Sequence, residues 1–247
     1  MKLQILLILL VTCGSVPLVI EIDAASPDQW SRFRGKDGTG RRTGEILPPS
    51  WTTQDWTWQT TLPGIGHSSP IVWDGKIYLT SADEENKVRQ LFCHILHTGE
   101  LAWSHESPGP IERHHKQNSS ASSSVTADFR GIYWLWGTSQ NVRLEAMTHD
   151  GELRWSTDLG SYSGPHGFGG SPVVWEDTVI IPLEQDTEGS IVGIDANTGK
   201  ERWRLTRDGA EKAAYSTPLV LTQTGSDAQI ICTSKAELSS GKTNAFL

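Results

Sequence analysis

The sequence predicts an all-β fold, a β-propeller of four-stranded antiparallel blades, and three observations predict it. A Trp recurs at positions 58, 103, 155 and 203, at intervals of 45, 52 and 48 residues, and a period of roughly 40 to 50 residues is the mark of propellers and similar arrays. Trp103, Trp155 and Trp203 each close one local phrase, LHTGELAW, THDGELRW and ANTGKERW, with Gly four residues before Trp. A small polar opening, an apolar run, a polar turn and a second apolar run begin at Ser68, Ser122, Gly170 and Ser216, so Pro70, Ser124, Pro172 and Pro218 are equivalent.

Residues 1–25 read as an export signal. Lys2 precedes an apolar run from Leu3 to Ile20, broken by Gly14, Ser15 and Pro17 and followed by Ala24 and Ala25, so the mature chain is expected to begin near Ser26 and to be exported, periplasmic or secreted. Membrane contact is expected only through an uncleaved signal anchor, since the run nearly reaches the ~18 apolar residues of a span, or through a lipid on Cys13. Residues 26–66 form an N-terminal segment in which Trp51–Gly64 reads as a closing outer strand.

Residues 67–247 hold the blades. Two strands come from each Ser-Pro opening, where a strand's first residue tolerates Pro. A third covers segments such as Val88–Ile95 and Gly189–Asp195, and a fourth carries the Trp after a tight Gly turn whose φ is positive. One such unit cannot bury its own faces, so it stacks on neighbours around a channel. Each Trp is therefore expected on the outermost strand, wedged between adjacent blades. Full blades are read over 67–106, 119–159 and 168–206. A fourth begins at Ala214 and lacks its Gly turn and Trp, so about four blades are present and the propeller reads as incomplete. Ring closure by Trp51–Gly64 needs a third strand from residues 235–247, and an open fragment would expose strand edges and an apolar blade face.

Charge narrows the partners. With 29 acidic and 21 basic residues the net charge is −8, which offers no chain-wide basic field, and no nucleic-acid role is expected. After removal of the signal only Cys93 and Cys232 remain, read as small buried hydrophobes on separate strands. P-loop, dinucleotide, nucleophile-elbow and HExxH motifs are absent from the sequence.

The phrase Ile194–Trp203 (IDANTGKERW) resembles the tryptophan-docking motif of pyrroloquinoline-quinone (PQQ) repeats, with Asp195, Gly199, Lys200, Glu201 and Trp203 matching it. Ile95 and Met147 stand where the other two copies would carry that Asp. Trp30–Gly40 (WSRFRGKDGTG) and His166–Trp175 also look like segments of secreted bacterial PQQ-like propellers. The resemblance implies a quinoprotein-like propeller and carries two functional expectations. One is a non-enzymatic protein-binding or scaffold module with a protein or peptide partner and no cofactor, similar to the propeller subunit of the outer-membrane β-barrel assembly machinery. The other is the N-terminal part of a divergent PQQ-dependent oxidoreductase, alcohol dehydrogenase-like, using PQQ with calcium. The resemblance to the enzymes is incomplete, because the sequence has no adjacent Cys pair and no evident Ca²⁺-ligand spacing; Leu183–Gly189 (LEQDTEG) reads as a solvated hairpin loop.

The loops that descend into the innermost strands are the expected binding face. They carry His67, His114, His115, Asn118, His166 and Tyr215. Imidazoles can bind metal, hold an anion or move a proton near neutral pH, but these follow no local metal spacing, and catalytic or metal residues are not assigned. His94, His97, His105 and His149 fall toward outer strands and hairpins and read as structural or solvated.

Overall fold

In a computed structural model, the structure describes residues 29–42, 48–112, 114–207, 212–222, 227–233 and 238–242; the export signal and Cys13 lie outside them. Each repeat folds as an antiparallel meander. The first sheet contains β1 (Ile71–Trp73), β2 (Lys76–Asp83), β3 (Val88–Ile95) and β4 (Leu101–Pro108). The second contains β5 (Thr126–Asp128), β6 (Gly131–Gly137), β7 (Val142–Met147) and β8 (Leu153–Asp158), and the third β9 (Val173–Trp175), β10 (Thr178–Leu183), β11 (Ser190–Asp195) and β12 (Glu201–Thr206). The fourth has β13 (Leu219–Leu221), β14 (Gln229–Thr233) and β15 (Leu238–Lys242).

Strand pleat explains the stacking, because successive side chains point to opposite faces. Along β6, Ile132, Trp134 and Trp136 pack toward Ile71, Tyr78, Leu91 and Cys93 of the first blade. Tyr133 and Leu135 pack the other way, onto Val179, Ile181, Val192 and Ile194 of the third. In β10 the same alternation sends Ile180 toward Ile230 and Cys232 of the fourth. The middle strands are therefore apolar on both faces, as sheets sandwiched between sheets must be.

The recurring Trp is the joint between blades. Trp58 Nε1 donates to Leu96 O at 2.9 Å, Trp103 Nε1 to His149 O at 3.0 Å and Trp155 Nε1 to Ala196 O at 3.2 Å, each acceptor lying in the next blade's turn. The turn Gly accounts for the fit. A Cβ on Gly99 would lie 2.4 Å from Trp58, one on Gly151 2.8 Å from Trp103 and one on Gly199 2.7 Å from Trp155. These glycines thus meet two demands, a positive φ of 73°, 90° and 73° and the close approach of an indole from the preceding segment or blade. On its own sheet each Trp faces a small residue, Cys93 for Trp103, Ala146 for Trp155 and Gly193 for Trp203, and the register shifts immediately afterwards in all three blades. Trp203 packs with Trp175, Ile180 and Cys232 at the seam with the fourth blade.

Near the channel, the Ser positions tie the inner strands together. Ser69 N donates to Ser124 Oγ at 2.8 Å, and Ser124 N to Ser171 Oγ at 3.0 Å. The segment before the blades crosses these strands. Trp30 and Val72 exchange two backbone hydrogen bonds of 2.8 and 3.0 Å, Ala127 N donates to Ser31 O at 2.8 Å, and Arg32 Nη1 to Pro218 O at 3.4 Å.

Two details differ from the sequence reading. Trp51–Gly64 is unpaired as a strand and carries a single 3₁₀ turn, Thr53–Asp55, capped by the Thr52–Asp55 side-chain exchange. Trp58 holds it by indole docking in place of a ladder. The acidic hairpin after β10 is not uniformly solvated: Glu184 is buried and ion-paired with Arg207 at the end of β12. Burial pushes the Glu184 carboxyl up while the guanidinium draws it down, and the net shift is upward. Burial likewise raises the Cys93 thiol to about 11 and the Cys232 thiol to about 12.

Candidate functional site

The loops leading into β5, β9 and β13 bring several of the predicted residues together. The His115 and His166 rings meet edge to face at 5.1 Å, and Tyr215 lies 6.2 Å from His166 at a 39° tilt. The His166 carbonyl ties two of the loops together, accepting from Asn118 Nδ2 at 2.5 Å and from His115 N at 3.5 Å. Gln117 N donates to His115 Nδ1 at 3.2 Å, so the neutral His115 ring carries its proton on Nε2. His115, His166 and Tyr215 are all exposed, and the row runs from the second blade to the fourth.

His114 sits beside the row with a different task. Its Nε2 lies 2.7 Å from Glu84 Oε1 and its Nδ1 3.1 Å from His115 O, two acceptors that favour the doubly protonated ring. Burial opposes that charge, and the bonds to Glu84 and the His115 carbonyl outweigh it, leaving the pKa above the ordinary imidazole value. His67 does not join the cluster: its backbone N–H donates to Ala121 O at 3.0 Å and its side chain is exposed.

A cavity of about 210 Å³ lies beneath these loops, bordered by Arg89, Glu112, His114, Ser119 and Ser139. Arg89 is 1% exposed, stacks 4.7 Å from the Trp136 ring centroid and donates from Nη2 to Pro110 O at 2.8 Å. Glu112 is engaged by Ser139, through its backbone N–H at 2.5 Å and its hydroxyl at 2.6 Å. The sequence reading missed Arg89 and Glu184 because nothing local in a strand end marks a buried charge.

Three of the four remaining histidines are held by contacts of distinct kinds. His149 accepts from Tyr78 O–H at Nδ1 over 3.0 Å and donates from Nε2 to Asp128 O over 2.7 Å, a pattern that fixes its tautomer at the first seam. His94 is buried with Nδ1 2.9 Å from Gly99 O, and His105 lies 3.3 Å from the buried Glu145. His97 is exposed. In the third blade, Asp195 caps its own turn through the N–H groups of Asn197 and Thr198, both 2.9 Å, and binds Arg202. Burial works against its charge, but the Arg202 bond and the Asn197 and Thr198 donors prevail and lower its pKa to about 2.

PQQ enzymes pair their quinone with a Ca²⁺ held by acidic and amide oxygens. Among the described residues no three His, Cys, Asp or Glu side chains converge on one point.

Comparison with known proteins accords with this architecture. A family model described as "Outer membrane protein assembly factor BamB" matches residues 135–242. A polyvinylalcohol dehydrogenase from Pseudomonas sp is 23% identical over 222 residues, covering 82% of this chain and 32% of its own. Among solved structures, a europium-containing methanol dehydrogenase superposes with a TM-score of 0.55 at 17% identity, covering 74% of this chain and 33% of that one. The quinohemoprotein alcohol dehydrogenase ADHIIG of Pseudomonas putida HK5 gives 0.51 at 22%, covering 73% and 27%. The chain thus spans about a third of the length of these relatives. Repeat, blade architecture and these matches together show a β-propeller similar in fold to these proteins. No helix among the described residues is long and apolar enough to cross a membrane.

Proposed function

We propose that the chain is an exported, non-enzymatic binding module that receives a protein or extended peptide on its loop face, as a scaffold in envelope or outer-membrane protein assembly. The observation that carries this reading is the exposed row His115–His166–Tyr215, three rings supplied by loops of three successive blades, two of which are tied together at the His166 carbonyl. Flat, amphipathic rings on rigid supports give contact area at low entropic cost and suit peptide recognition. The family match to an assembly factor supports the same class of role, and Lys2 with the apolar run after it supports export.

The test uses the mature chain and fluorescently labelled peptides from a urea-unfolded outer-membrane β-barrel. Anisotropy is expected to show saturable binding that weakens about tenfold in His166→Ala/Tyr215→Ala, a loss of ~1.4 kcal/mol. Undiminished binding by that variant would refute the assignment of the face.

The second reading, part of a PQQ-dependent oxidoreductase, is favoured by the dehydrogenase likeness over 82% of the chain. Titration with PQQ and Ca²⁺, followed by absorbance and tryptophan fluorescence, separates the two. Saturable quinone binding would replace the scaffold reading with the oxidoreductase one.

A further inference from the structure

A larger cavity, of about 870 Å³, lies away from the His–Tyr row, between the N-terminal segment and the innermost strands. Its volume is that of a small-molecule site. One wall is apolar: Val72 of β1, Val174 and Trp175 of β9, and Leu219 and Leu221 of β13. The opposite wall is the segment running from Trp30 to Arg42, pinned across β1, the second blade and the strand entry at Pro218 by the hydrogen bonds described above.

This segment concentrates positive charge. Arg32, Lys36, Arg41 and Arg42 line the cavity against one carboxylate, Asp37, in a chain whose net charge is −8. Asp37 Oδ1 is engaged at 2.9 Å by both the backbone N–H and the hydroxyl of Thr39, and its charge partly offsets that of Arg32 alone among these cations. Arg32 is 6% exposed, and its bonds run to the carbonyls of Lys36 and Pro218 at 3.3 and 3.4 Å. Carbonyl dipoles at such lengths offset little of the cost of burying a cation. Arg34, by contrast, turns onto the Phe33 ring, its Cζ 5.5 Å from the centroid, and does not border the cavity.

We propose that this cavity binds an amphipathic organic anion, an apolar body against Trp175, Val72 and Leu219 with a carboxylate head among Arg32, Lys36 and Arg41. The apolar wall supplies affinity through surface removed from water, and the cations set the sign of the head group. The assignment is independent of the partner-binding face, because the two sites share no residue.

The test is calorimetric titration of the mature chain at constant ionic strength with decanoate, decanol and decyltrimethylammonium. Decanoate is expected to bind saturably and at least tenfold more tightly than either analogue. Lys36 and Arg41 are exposed, so Lys36→Gln/Arg41→Gln is expected to keep the far-ultraviolet spectrum and melting temperature while weakening decanoate at least fivefold. Trp175→Ala should weaken decanoate and decanol alike. Equal binding of the three ligands, or decanoate affinity unchanged in the Lys36→Gln/Arg41→Gln variant, would overturn the proposal.

Discussion

Replacing Gly199 by Ala separates the two reasons for a glycine in each docking turn. At Gly199 the φ is +73°, and an added Cβ would lie 2.7 Å from Trp155 Cε3 and 2.9 Å from Thr157 Oγ1. At Gly75 the φ is almost the same, +71°, but a Cβ would meet nothing within 4 Å. Gly75→Ala therefore measures the left-handed backbone cost alone, about 1–2 kcal/mol. Gly199→Ala adds displacement of the Trp155 indole, which is bounded by the ~3–5 kcal/mol of deleting a packed Trp. The expected total is about 3–6 kcal/mol. In a Trp155→Ala background the same Gly199→Ala change should keep only its backbone cost and its contact with Thr157, a coupling of ~2 kcal/mol or more. Urea denaturation followed by far-ultraviolet circular dichroism reads the parent and all four variants without relying on the deleted fluorophore. If Gly199→Ala cost no more than Gly75→Ala, or if its cost survived removal of Trp155, the indole would not be seated on the turn and the account of the seams would fail.

Trp203→Ala should lower stability by ~3–5 kcal/mol, because the ring packs with Ile180, Ile191 and Cys232 between the third and fourth blades; chemical denaturation checks it. Arg207→Ala leaves Glu184 buried without its ion-pair partner, and a loss of ~3–5 kcal/mol is expected, with Arg207→Ala/Glu184→Gln recovering part of it. Asp195 has a folded pKa of about 2, below the ordinary carboxylate value of 3.8. Its contribution is present above the unfolded value and disappears as pH falls from 3.8 toward 2, and Asp195→Asn should flatten stability over that window by about 1 kcal/mol after solvent screening. Cys93 and Cys232 have thiols raised to about 11 and 12 and are buried, so a thiol-reactive disulfide reagent at pH 8 should label neither until denaturant is added.

The repeat was legible because its signals are local. Val88–Ile95 is β3 to the residue, and the apolar runs after Pro70, Ser124, Pro172 and Pro218 become the innermost strand pairs. Trp103, Trp155 and Trp203 are on outermost strands, as their period required. What escaped the sequence reading depends on partners distant along the chain. The steric role of Gly99, Gly151 and Gly199 is hidden because a positive φ already accounts for a glycine in a turn. Glu184 reads as solvated until Arg207 is placed against it, and Arg32 meets Pro218 across 186 residues. The loop residues divided for the same reason: His115, His166 and Tyr215 converge through contacts between blades, whereas His67, with the same composition around it, is held by Ala121 and stays apart.

For Trp58, Trp103 and Trp155 the indole N–H finds a main-chain carbonyl, and the residue that owns it is Leu96 in one blade, His149 in the next and Ala196 in the third. Any amino acid presents that oxygen, so the joint asks its neighbour for only a turn of the right shape and a glycine without bulk. Such a connector is generic: a duplicated or exchanged blade arrives already compatible with both flanks, and its other side chains are free to diverge. The variety among these blades, in the loops above all, is what a molecule assembled through a universal coupling can accumulate.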